Sequence, residues 1–298
     1  MKLATFEYRA QQQIGLVVGD NNLVLPLQAA ESKLLGTKTL PNTMNELLEM
    51  ADEGMATIDA ILQKPYLTQC LPLSTVKLLA PIPRPRKNIF CVGKNYAEHA
   101  KEVANLGVDI PLDPIIFTKP PTAVVGPGAT VKNYRGVIDK IDYEAELAVI
   151  IGKTATQIDK ENAYDYVFGY TALNDVSARD LQAKHHQWFL GKSPDTFCPM
   201  GPWIVSKSEM GDINNIYVRS KINGELRQNG NTGKFIFDIP TLLATITATV
   251  TLEPGDIIAT GTPAGVGMGF KPPKLLKPGD VMEIEIENIG VLLNQIEK

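Results

Sequence analysis

The 298-residue chain is poor in the residues that carry much of enzyme chemistry: it has three cysteines, three histidines and two tryptophans. Cys70, Cys91 and Cys198 are odd in number and widely scattered. They supply neither a disulfide framework nor the CxxC spacing of a zinc site, and each reads as a small buried hydrophobe. With only His99, His185 and His186 available, a histidine-rich zinc centre is disfavoured too. Positive charge is not in excess. Lys+Arg number 29 against 33 Asp+Glu, a net charge of −4, which is the wrong balance for holding nucleic acid through its phosphates. No window approaches the ~18 uninterrupted apolar residues of a membrane helix. The first thirteen residues turn polar too early for a signal peptide. These absences lead to the expectation of a soluble cytoplasmic protein that contacts neither nucleic acid nor membrane.

What is present is an ordinary core-forming composition, 44% hydrophobic and 21% charged, with 24 glycines and 21 prolines to make turns. Residues 1–79 read as a small N-terminal unit. It has short strands at Leu3–Tyr8, Ile14–Val18 and Leu23–Pro26, then helical patterns at Met44–Met50 and Ala56–Leu62. Three alternate prolines, Pro81, Pro83 and Pro85, enforce an extended connector and set a domain boundary at residue 80. Residues 80–298 carry strand patterns throughout, few helices and a strong hairpin signal at Asn223-Gly224. The expected fold class is α+β and β-rich, a largely antiparallel sandwich, roll or distorted barrel.

The chemistry concentrates in four segments. In Asp142-Tyr143-Glu144-Ala145-Glu146, followed by an apolar run, Glu144 and Glu146 share one strand face. Two carboxylates at a core entrance repel each other and resist desolvation, and a divalent cation relieves both problems. An isolated ExE pair is more often a solvent-facing strand. Asp175, at the tip of the next predicted strand, adds a third oxygen donor, and three carboxylates describe a hard-cation site. The reading of Asp175 as a helix cap is about equally strong. In Gly93–Glu102, Asn95 can cap a helix, and His99 and Glu102 stand at i, i+3 on one face, the arrangement of an oriented general base. Taken alone, that pair is more often an exposed charge pair. Lys192, in a loop shaped by glycine and proline, is placed to balance carboxylate charge or hold an anion. The Thr260–Gly267 loop offers N–H and hydroxyl groups to a carboxylate. It lacks the P-loop lysine and the last glycine of GxGxxG, which argues against nucleotide binding.

Taken in order, GKNYAEHAKE, DYEAELAVIIG, NDVSARDLQ, GKSPDTFCPMGP, NGELRQNGNTGKFIFDIP and LEPGDIIATGTPAGVG resemble the fumarylacetoacetate hydrolase family over residues ~80–298. The short N-terminal unit is similar to that of bacterial members. The resemblance implies a mixed β-roll, usually a homodimer, built around Mg²⁺ or Mn²⁺. It places Glu144, Glu146 and Asp175 on the metal ligands and His99 and Glu102 on a dyad in a mobile lid that runs toward Gly107–Pro111. Lys192 falls on the active-site lysine, Gln182 near the reacting carbonyl and Thr262 on the loop that grips the substrate carboxylate. The implied substrates are small 2-oxo acids. The leading activity is Mg-dependent hydrolysis of the C–C bond of acylpyruvates. The alternatives are an oxaloacetate decarboxylase or tautomerase, a 2-hydroxyhepta-2,4-diene-1,7-dioate isomerase, and an inactive scaffold that keeps a structural metal.

Overall fold

A computed structural model describes residues 1–102 and 111–298. The expected lid stretch Gly107–Pro111 and the end of its helix therefore lie mostly outside the described residues. The chain forms strands β1 (Lys2–Tyr8), β2 (Gln11–Val18) and β3 (Leu23–Pro26), then helices α1 (Leu27–Leu34), α2 (Met44–Glu49) and α3 (Asp52–Leu62). Next come β4 (Ile89–Gly93), α4 (Ala97–Glu102), β5 (Ile115–Lys119), β6 (Ala145–Ile151) and β7 (Val167–Asn174). Helices α5 (Arg179–Lys184) and α6 (Phe189–Lys192) lead to β8 (Cys198–Ser206), β9 (Tyr217–Ile222) and β10 (Glu225–Asn231). Helix α7 (Ile239–Thr247), β11 (Ile257–Ala259), β12 (Val281–Ile286) and β13 (Gly290–Ile296) complete it.

The strands build one large sheet in the order β3-β2-β1-β8-β7-β6-β11-β4-β5 and a smaller sheet in the order β10-β9-β12-β13. Most ladders are antiparallel, and β11–β4 is a parallel exception. The fold is thus strand-rich and mixed, as the patterning indicates. The Asn223-Gly224 signal marks the β9–β10 hairpin, with positive φ at both residues. Ser177–Ala178 is extended. It pairs with Ile141–Asp142 as a short bridge, and the helix begins at Arg179. The helix α1 and the strand β13 were not anticipated. In Leu27–Leu34 the apolar residues Leu27, Ala30 and Leu34 stand at helical spacing, and Leu27 and Ala30 are buried in the N-terminal core.

The long apolar run 147–151 is explained by burial on both faces of β6. Leu147, Val149 and Ile151 enter the core beneath α7 and the second sheet. Ala148 and Ile150 face the other way, onto the core shared with α1–α3. The first 79 residues are joined to this sheet directly, since β1 pairs with β8 at Leu3↔Ile204.

Glu31 of α1 is an ion held inside this N-terminal layer. Its carboxylate accepts bonds from Thr39 N–H (2.7 Å), Leu40 N–H (2.9 Å) and the hydroxyls of Thr37 (2.8 Å) and Thr39 (2.7 Å). Burial opposes the charge, but these donors outweigh it, and the carboxyl titrates below its ordinary value. The stabilisation is therefore present above the usual carboxylate pKa and lost as pH falls through the depressed one. Glu31→Gln should lower the urea midpoint at pH 7 by the equivalent of about 1–3 kcal/mol. The gap to the native chain should shrink in acid; an equal gap at pH 3 and pH 7 contradicts the assignment.

Candidate active site

The β6–β7 register creates the carboxylate cluster. Ala145 pairs with Asn174, so the residues just beyond the ladder, Glu144 and Asp175, lie side by side, and Asp175 N–H donates to Glu144 C=O at 2.9 Å. Glu146 projects from the same face of the strand. One carboxylate oxygen from each of the three lies within 4.8 Å of the others. All three residues are buried, at 5%, 2% and 0% exposure for Glu144, Glu146 and Asp175, which removes the solvent-facing reading of ExE. Asp175 is not a helix cap; Ala178 holds that position.

Three buried cations surround the cluster. Lys192 Nζ bridges Glu144 and Asp175 at 2.7 Å each. Lys119, at the end of β5, donates to Asp175 at 2.5 Å and to Val176 C=O at 3.1 Å. Arg179 pairs with Glu144 at 2.7 Å and with Asp142 at 2.9 Å. Asp142 also accepts the N–H groups of Gly267 (2.7 Å) and Met268 (3.0 Å), which ties the C-terminal loop to the site.

The titration behaviour follows this uneven compensation. Burial raises the Glu144 carboxyl, but Lys192 and Arg179 overcome that and hold it well below the ordinary range. Burial also raises Glu146, and there Asp175 and Glu144 push further the same way, so it stands well above the ordinary range. Burial lowers Lys192, yet Asp175 and Glu144 more than restore its charge. Gly261 N–H donates to the Glu146 carboxylate at 2.9 Å. Lys119, Lys192 and Arg179 pair with the other carboxylates of the site, and the triad's donors are hard oxygens. That donor set fits a divalent cation of the Mg²⁺ or Mn²⁺ type.

Glu144 and Glu146 open into a cavity of about 330 Å³ also lined by His99, Arg179, Gln182, Lys192 and Thr262. His99 Nδ1 lies 3.2 Å from Glu102, which leaves Nε2 for a molecule in the cavity. Glu102 is itself held by Gly265 N–H at 3.0 Å. Its carboxylate occupies the space a Cβ on Gly269 would need. Gln182 accepts from Arg179 Nη1 at 3.2 Å. The Thr262 hydroxyl already donates to Ala145 C=O (2.9 Å) and accepts from Gln228 (2.7 Å), so its proton is committed within the fold. Asn95 does not act as a simple cap. Its amide spans to Thr260 C=O (2.8 Å) and to Phe237 N–H and C=O, fixing the start of the His99 segment.

The family model for the fumarylacetoacetate (FAA) hydrolase C-terminal domain matches residues 88–297. The chain belongs to the fumarylacetoacetate hydrolase family. It is 48% identical over 302 residues to the oxaloacetate tautomerase YisK of Bacillus subtilis, covering 99% of this chain and 100% of that protein. Among solved structures, it resembles a fumarylacetoacetate hydrolase from Exiguobacterium antarcticum (TM-score 0.83, 39% identity, 100% and 99% of the two chains). It also resembles a 2-hydroxyhepta-2,4-diene-1,7-dioate isomerase from Mycobacterium marinum (TM-score 0.73, 32% identity, 100% and 98%). Among the described residues, no helix is long and apolar enough to cross a membrane.

Lys119, Arg179 and Asp142 carry no role in the motif reading, yet they set the electrostatics of this family site. Asp142 was within reach, since it shares strand parity with Glu144 and Glu146. Lys119→Met should strip one of the two ammonium groups from Asp175 and destabilise the fold by about 3–5 kcal/mol. Excess Mn²⁺ should raise the melting temperature of the variant more than that of the native chain, because the added cation replaces the lost charge. Equal Mn²⁺ shifts in the two proteins refute this role.

Proposed function

We propose that the protein is an oxaloacetate tautomerase-type enzyme that interconverts the enol and keto forms of a small 2-oxo acid. One observation carries the reading: two members of the buried triad, Glu144 and Glu146, line the same small cavity as His99, which is paired with Glu102 behind it. The whole-length likeness to a protein named as an oxaloacetate tautomerase supports it. That likeness favours keto–enol chemistry over the acylpyruvate hydrolysis to which the motifs gave first place. Physical economy points the same way. Hydrolysis must position an activated water as well as the substrate, whereas tautomerisation only moves one proton.

Glu144, Glu146 and Asp175 would hold the divalent cation. When bound, that ion supplies Lewis-acid withdrawal of electron density from the 2-oxo and carboxylate oxygens of the substrate. His99 relays the proton: the enol O–H bond breaks, the C3–H bond forms, and in reverse Nε2 takes the C3 proton. Glu102 orients the imidazole and stabilises its charged form, and the Gly265–Gly269 segment holds Glu102. Lys192 and Arg179 keep Glu144 ionised and place positive charge beside the substrate oxygens. Gln182 faces the cavity as a polar contact for the substrate. Thr262 contributes through the loop it anchors, because its hydroxyl proton is already donated.

The test is the ketonisation of freshly dissolved enol-oxaloacetate, followed by its ultraviolet absorbance. Activity should vanish with EDTA and return with Mg²⁺ or Mn²⁺. His99→Ala should lower kcat/KM by roughly 10²–10⁴, the usual share of a positioned general base. Gly269→Ala should displace the Glu102 carboxylate and cost roughly tenfold to a hundredfold. Unchanged ketonisation by His99→Ala, alongside full C–C cleavage of acylpyruvates by the native enzyme, would reinstate the hydrolase reading.

A further inference from the structure

The cavity has an aromatic wall that the proton transfer does not use. Trp188 immediately precedes α6, and Lys192 N–H donates to its carbonyl at 3.0 Å, so the indole and the catalytic ammonium belong to one helical turn. Phe117 of β5 touches both. Its ring centroid lies 5.3 Å from that of Trp188, edge-on at 73°, and 5.1 Å from Lys192 Nζ. The indole also rests on the backbone of β4, where a Cβ on Gly93 would come within 2.4 Å of Cζ3 and 2.9 Å of Cη2. Gly93, Phe117 and Trp188 all line the cavity that Glu144 and Glu146 enter.

An indole braced by backbone on one side and an aromatic edge on another is a fixed stop, not a swinging side chain. We propose that Trp188 is a specificity-determining residue, which ends the cavity against Gly93 and Phe117 and thereby restricts it to 2-oxo acids with a short distal tail. This rests on the 2-oxo acid reading above. The glycine at position 93 is part of the device, since any side chain there drives the indole into the substrate space.

The test measures binding by calorimetry in the presence of Mg²⁺, with oxalate, N-methyloxamate and N-butyloxamate as probes. All three share a carboxylate next to a carbonyl oxygen and differ in tail length. In the native protein N-butyloxamate should bind at least roughly tenfold more weakly than N-methyloxamate. Trp188→Ala should bring that ratio toward one, and Trp188→Phe should move it part of the way, which keeps the test open should the alanine variant misfold. Gly93→Ala should act in the opposite sense, weakening N-methyloxamate relative to oxalate. An identical tail ratio in the native protein and both Trp188 variants overturns the assignment of Trp188. Failure of oxalate to bind the native protein at all overturns the 2-oxo acid reading itself.

Discussion

Mutual repulsion among carboxylates that cannot reach water is the constraint around which this structure is arranged. Glu144, Glu146, Asp175 and Asp142 are buried together, and ionising them in a low-dielectric setting is unfavourable without local positive charge. Lys119, Lys192 and Arg179 provide it, drawn from the end of an edge strand and from two short helices. These three pair with Asp142, Glu144 and Asp175, and the raised titration of Glu146 marks it as the least compensated of the four. The same cations hold the donor oxygens in place and leave the remaining field directed into the cavity.

The rest of the fold serves that placement. The β6–β7 register decides that Glu144 and Asp175 are neighbours. Because β6 is apolar on both faces, the placement of Glu144 and Glu146 is what distinguishes its register: a one-residue shift would carry both to the face away from Asp175 and the cavity. The N-terminal layer covers one of those faces, so residues far from the cavity help to maintain its geometry. The C-terminal loop is bound at two points, Asp142 to Gly267 and Met268, and Glu102 to Gly265. Through these bonds the triad side and the His99 side of the cavity are linked by backbone amides rather than by long side chains.

Much of this was legible in the sequence, for local reasons. The parity of Glu144 and Glu146, the apolar run behind them and the turn at Asn223-Gly224 depend on nearest neighbours along one strand. The positions of Asp175, His99 and Lys192 in ordered motifs were legible through the family resemblance. Lys119 was not, because nothing local distinguishes a strand-end lysine that crosses the sheet to Asp175 from one that reaches solvent. The commitment of the Thr262 hydroxyl to Ala145, and of the Asn95 amide to residues 237 and 260, are long-range bonds that appear only when the chain is folded. The helix α1 was missed because its apolar set, Leu27, Ala30 and Leu34, is short and follows directly on the apolar strand β3.

The account stands on one divalent cation completing the charge balance at Glu146. A titration with Mn²⁺, in which the free ion is read by electron paramagnetic resonance, tests this directly, with Mg²⁺ as competitor. One Mn²⁺ per chain should bind to the native protein, be displaced by Mg²⁺, and lose most of its affinity in Glu146→Gln, since a neutral amide is a poor partner for a hard cation. Binding that is absent in the native protein, or unaltered in Glu146→Gln, contradicts the account.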